Sequence, residues 1–147
     1  VTDLPAYESD DLDENKVFHL GIELFNEGEW FEAHEVWEDI WREASDQTKL
    51  FYQGLIQCAV TLEHLRRGNP RGARSVYESA QTKFVDLPQV FMGIDVKKLL
   101  GDLEQVMTPI LALPAERFAP NQPRGQDLPF DPDQAPRIDL EFDPFAL

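Results

Sequence analysis

Cysteine is nearly absent: Cys58 is the only one in 147 residues. A disulfide framework is excluded, and one thiol inside an apolar run suits a reducing compartment. Bases are scarce as well. Lys and Arg number 13 against 28 Asp and Glu, a formal charge of −15. A surface that acidic repels phosphate backbones, which disfavours general nucleic-acid binding. Long apolar runs are missing. The longest mostly apolar stretch, LFYQGLIQCAVTL at 50–62, carries two glutamines. It is shorter than the roughly 20 residues that a membrane span needs. No charged-then-apolar leader opens the sequence. The expectation is a soluble cytoplasmic protein without membrane association.

What is present is apolar and aromatic. Hydrophobic residues make up 42%, with 10 Phe and 3 Trp. At this length that supplies one real core rather than a disordered chain. The first 14 residues hold six acids and no base. Residues 1–12 read as an acidic, solvated arm. Residues 13–113 read as one helical domain. The first helix is expected from Asp13 to Glu27, with Val17, Leu20, Gly21 and Leu24 on its apolar face. The second runs from about Glu29 to Ala44. The third, from about Gln47 to Arg67, is apolar on most faces and therefore central. Ser45 or Asp46 caps it. The fourth starts at Pro70, with Asn69 as N-cap and Gly68 closing the preceding helix, and ends near Leu87. The fifth spans about Asp95 to Leu113. After it, seven of the 11 prolines fall within 114–147. That segment reads as an extended tail. Its Phe130, Ile138, Leu140, Phe142 and Phe145 offer contacts to the body or to a neighbouring subunit.

An internal repeat runs at an offset of 40. GEWFEAHEVWE (28–38) aligns with GNPRGARSVYE (68–78). Gly28 meets Gly68, Ala33 meets Ala73, Trp37 meets Tyr77. Upstream, Ile22 meets Leu62 and Phe25 meets Leu65. Each unit is helix, glycine turn, helix, similar to a tetratricopeptide hairpin. The fold class expected is all-α: a compact bundle of about five helices built on two such hairpins in tandem.

One stretch points to chemistry: EAHEVWEDIW, 32–41. On a helical wheel Trp30, Trp37 and Trp41 fall within about 60° of His34, and Glu38 lies about 40° to its other side. This places His34 near the middle of the apolar stripe, with Glu38 one turn on as its natural partner. On the third helix Gln53, Gln57, Val60 and His64 share one narrow face. In an antiparallel pair the two glutamines lie level with Glu38 and His34. A polar pocket of His34, Glu38, Trp41, Gln53, Gln57 and His64 is therefore expected between the second and third helices. Three readings follow. A hydrogen-bonded network would serve a ligand- or partner-binding module. A divalent metal ion on His34 and Glu38 would serve a hydrolase-like enzyme. A tetratricopeptide-like surface would serve a protein-interaction adaptor. The metal reading lacks ligands: HEVWE has Glu38 where H-E-x-x-H needs a second histidine, and no E-x-x-H pair occurs. Arg66, Arg67, Arg71 and Arg74 form a basic island around Pro70, a candidate anion site. His19 shows no partner in the sequence.

The spacing H-x-x-x-E-x-x-W, here His34, Glu38 and Trp41, resembles the bacterial and archaeal family called domain of unknown function 309. FNEGEWFEAHEVWEDIWRE and FYQGLIQCAVTLEHLRRGNPRGA are similar to that family over about residues 17–85. The resemblance implies a small all-helical fold and points to metal binding at the motif. It implies no established reaction.

Overall fold

Asp13 accepts a hydrogen bond from Lys16 N at 3.2 Å and starts the first helix. The computed structural model describes residues 13–146, so the acidic arm at 1–12 lies outside the described residues. Five helices follow: α1 (Glu14–Asn26), α2 (Trp30–Glu43), α3 (Asp46–Arg66), α4 (Pro70–Lys83) and α5 (Val96–Leu111). Asn69 caps α4 by accepting from Gly72 N, with Pro70 at the first helical position. The fourth helix stops at Lys83 rather than near Leu87. An unforeseen hairpin, β1 (Val90–Phe91) and β2 (Ile94–Asp95), leads into α5, and Asp95 caps that helix.

Each helix packs on the next: α1 on α2, α2 on α3, α3 on α4. This is two helical hairpins in tandem, as the repeat predicts. The matched positions behave alike. Gly28 and Gly68 both turn the chain at positive φ, 80° and 70°. Ala33 and Ala73 are both fully buried, and Trp37 and Tyr77 are both core. No helix among the described residues is long and apolar enough to cross a membrane.

Two glycines inside helices make room for rings. A Cβ at Gly21 would lie 1.9 Å from Trp37 Nε1, and one at Gly54 would lie 2.3 Å from the Phe84 ring. Glycine costs a helix about 1 kcal/mol relative to alanine. Here the cost is offset by the close approach of the Trp37 indole, whose Nε1 donates to Phe18 O at 3.3 Å. The buried side of α1 is Val17, Phe18, Gly21, Ile22 and Phe25. Leu20 and Leu24, expected there, are only partly buried. Phe18 and Phe25 turn the helix toward their larger rings.

Residues 114–146 run back across the helices. A 3₁₀ turn, Ala115–Phe118, seats Phe118 beneath the Arg74 guanidinium at 4.2 Å. Further on, Phe130 lies against Trp30 at 6.1 Å and Phe145 against Phe18 at 5.7 Å. Ile138 is buried. Asn26 holds it in the manner of a sheet partner: Asn26 Nδ2 donates to Ile138 O at 2.9 Å, and Ile138 N donates to Asn26 Oδ1 at 2.8 Å. Glu141 N donates to Gly93 O at 2.7 Å. Phe142 stays exposed.

Candidate functional site

The buried stripe of α2 is Trp30, Ala33, Val36, Trp37 and Ile40. Its centre lies about 100° from His34 on the wheel. His34 is thus at the edge of the stripe and half-buried, not in its middle. The three tryptophans mislead here. The small and branched residues Ala33, Val36 and Ile40 set the core side, and Trp41 lies only partly within it.

His34 does not bond Glu38. Its Nδ1 meets the carbonyl of Phe31 at 2.5 Å, and its ring stands edge-on to Phe31 at 4.9 Å. A carbonyl only accepts, so Nδ1 carries the proton and the Nε2 lone pair is left free in the neutral ring. Glu38 sits 3.8 Å from Arg42, which also bonds Asp39 at 2.8 Å. That is the surface ion pair which the Glu-before-Arg spacing favours.

Two contacts register α2 against α3. Lys49 Nζ lies over the Trp41 ring at 4.5 Å, and the Arg67 guanidinium lies over Phe31 at 5.2 Å. The helices are antiparallel, so midway between these clasps Gln57 falls level with the His34–Glu38 turn. Gln53 falls nearer Trp41. Gln53 and Gln57 are half-buried. Gln57 Oε1 and Trp41 Nε1 are buried atoms without a hydrogen-bond partner among the described residues. His64 is further along α3, where Asn69 Nδ2 donates to its Nδ1 at 3.2 Å. Burial and the Arg67 and Arg124 charges hold its pKa below the ordinary value, against a smaller opposing pull from Glu63. It shares the α3 face with the glutamines but bonds the α4 cap, not the His34 group.

Whether a metal fits can be read from the donors. His34 Nε2 and Glu38 offer two donor groups one turn apart. Among the described residues no three His, Cys, Asp or Glu side chains come together in a group suited to an ion. Two donors do not make a closed metal site, and no step is derived through one.

The arginines divide by task. Glu63, itself buried, accepts from both Arg66 and Arg67. Arg74 stacks on Phe118. Arg71 is exposed on the first turn of α4. Sequence reasoning missed His19 as a tail contact. Its Nδ1 meets Asn15 O at 2.8 Å, and its Nε2 lies 3.3 Å from Asp143. Asp143 is 124 positions away, and only the fold brings it there.

The family model described as "Domain of unknown function (DUF309)" matches residues 18–76. An uncharacterized protein of Aquifex aeolicus (strain VF5) is 31% identical over 84 residues, which are 56% of this chain and 25% of that protein. The uncharacterized protein YpuF of Bacillus subtilis (strain 168) is 39% identical over 54 residues, 36% of this chain and 31% of that protein. The match thus spans about a quarter to a third of these relatives' own length.

Proposed function

We propose that the chain, whose residues 18–76 match the DUF309 family model, is a binding module whose α2–α3 face takes a basic, hydrogen-bond-donating group, such as an arginine or lysine side chain of a partner protein. One observation carries this reading: the acceptors at the level of His34 lack matching donors. Gln57 Oε1 is buried and unpartnered. His34 Nε2 carries the lone pair because Nδ1 serves Phe31, and it has no hydrogen-bond partner among the described residues. Among the described residues Glu38 pairs with Arg42, at 3.8 Å. An amide oxygen, an imidazole lone pair and a carboxylate all accept. A guanidinium offers five donors in a planar fork. Leaving a buried acceptor empty costs about 1–3 kcal/mol, which a donor would recover.

The surroundings favour a cation. The excess of acids, 28 against 13 bases, draws positive groups at long range. Both aromatic ends of the face already hold cations over their rings, Lys49 on Trp41 and Arg67 on Phe31. The adaptor reading is the same proposal on a larger scale, with the basic group carried by a protein. The reading asks for recognition and assigns no reaction.

The test is a titration with a short arginine-rich peptide and its glutamate counterpart, followed by fluorescence anisotropy at physiological ionic strength. The arginine peptide should bind and the glutamate peptide should not. Losing the carboxylate charge in Glu38→Gln, or the imidazole acceptor in His34→Ala, should weaken binding about tenfold. His34 is half-buried with its one bond inside its own turn, so His34→Ala should stay folded. Glu116→Gln, a distant exposed acid, should change little. Equal weakening by Glu38→Gln and Glu116→Gln would reduce the effect to general charge and end the proposal.

A further inference from the structure

Six of the chain's 13 basic residues are arginines at 66, 67, 71, 74, 117 and 124. The fold gathers them where the α3–α4 turn meets the tail, a basic corner of a strongly acidic chain. Their partners are few. Glu63 serves Arg66 and Arg67 together. Among the described residues Arg117 bonds neutral acceptors, Gln126 Oε1 and Asp127 O. Among the described residues Arg71 and Arg124 are not members of any ion pair.

The corner is built rather than incidental. Gly125 N donates to Arg67 O at 3.2 Å and Gln126 N to Gly68 O at 3.0 Å, which brings Arg124 onto the α3–α4 turn. A Cβ at Gly68 would lie 2.5 Å from both Gln126 N and Gln126 O, so only glycine admits the tail there. Gln126 in turn donates to Arg117 O at 3.0 Å and fixes the loop from its other side. His64 sits between these elements. The space beside Gly72 is filled by its ring, since a Cβ there would come within 2.8 Å of it. Asn69 Nδ2 donates to His64 Nδ1, so in the neutral ring the proton is on Nε2, a further donor. Arg71, next to Gly72, completes the group from α4.

We infer that this corner, Arg67, Arg71, Arg124 and His64, binds the phosphate group of a small soluble ligand, inorganic phosphate or a phosphomonoester. Cations from three separate elements suit a dianion with several oxygens better than a single carboxylate, and guanidinium forks bind phosphate oxygens in pairs. A nucleic-acid strand is disfavoured because the acids on the rest of the chain would repel its further phosphates. The amide of Gly72 is already taken by the Asn69 side chain, so the ligand is held by side chains and not by the end of α4. One consequence separates this site from a loose patch. The tail supplies Arg124, so the ligand must tighten the tail onto α3–α4.

The experiment titrates the whole chain with sodium phosphate and pyrophosphate against sodium chloride of equal ionic strength. The His64 ring resonances and the exchange rate of the Gln126 amide are followed by NMR. Expected are a saturable His64 shift and slowed Gln126 exchange with phosphate, and neither with chloride. Arg124→Gln and Arg71→Gln should each weaken binding about tenfold, from the loss of a charge-assisted hydrogen bond. Both residues are exposed, and Lys97→Gln on α5 should bind as wild type does. The inference is overturned if phosphate and chloride act alike. It is overturned equally if Lys97→Gln weakens binding as much as Arg124→Gln. A response to anionic lipid vesicles with none to phosphate would also overturn it.

Discussion

Replacing Asn26 by alanine asks whether residues 114–146 are part of the structure or an appendage to it. The side chain makes two hydrogen bonds to the main chain of Ile138, at 2.9 and 2.8 Å. Each such bond contributes about 1 kcal/mol net, so truncation should cost about 2 kcal/mol. Ile138 is only 3% exposed, and water cannot easily replace the lost partners. The cost therefore leans toward the upper end, about 3 kcal/mol. A loss of about 2–3 kcal/mol lowers the docked-to-undocked ratio by about thirtyfold to 150-fold. Hydrogen exchange at the Ile138 amide reads that ratio directly, because undocking frees this amide without unfolding α3. Asn26→Asp provides an internal check. The carboxylate can accept from Ile138 N but cannot donate to Ile138 O, so about half the effect should remain. If Asn26→Ala leaves exchange at Ile138 within about twofold of wild type, the clamp does not hold the tail and the reasoning fails.

Two further outcomes are expected. Alkali should weaken the fold. Burial pushes the Cys58 thiol from 9.0 up to about 12, and burial with the Glu14 contact raises the Tyr52 hydroxyl as well. Above pH 9 the unfolded chain has then lost protons that the folded chain keeps. Stability should fall as pH rises, by about 1.4 kcal/mol per unit from Cys58 alone until its folded pKa is reached. Urea melts across this range check it, and a flat profile would contradict it. Gly21→Ala should destabilise by about 1–3 kcal/mol despite the better helix propensity of alanine, because its Cβ lies on a buried indole. A urea midpoint that is unchanged or raised would mean that α1 and α2 stand further apart.

The helices were legible because their ends carry chemistry. Asp13, Asn69 with Pro70, and Asp95 mark starts that depend on local hydrogen bonds alone. The 40-residue offset made the tandem hairpins legible for the same reason, since Gly28 and Gly68 are fixed by backbone conformation. The hairpin at 90–95 was not legible. Its strands are two residues long, and its turn puts Met92 at φ 48° beside Gly93 at φ 80°. Glycine signals such a turn, but methionine seldom takes the left-handed region. Within the site, period and spacing located the face yet misplaced its depth. His34 looked central because three indoles weigh heavily on a wheel, whereas the buried stripe, Trp30 and Trp37 included, extends the other way to Ala33, Val36 and Ile40. Its bond partner was beyond sequence reasoning. A main-chain carbonyl three residues back competes with Glu38 one turn on, and only coordinates show which wins. Arg124 was invisible for another reason: more than fifty residues separate it from Arg71, and one glycine at 68 lets the main chain at 125–126 reach the α3–α4 turn.

The Asn26 clamp also sets an order of events. It joins positions 112 residues apart, whereas the repeat units close over about 40. Contacts that distant form after local ones, since a long loop must be closed first. Synthesis runs the same way, with 13–113 emerging before 114–146. For an interval, the body has its helices in place while Trp30 lacks Phe130 and Phe18 lacks Phe145. During that interval bare rings face water, and the nascent chain is at its stickiest. The strong negative charge then keeps neighbouring copies apart until residues 114–146 arrive to cover these rings.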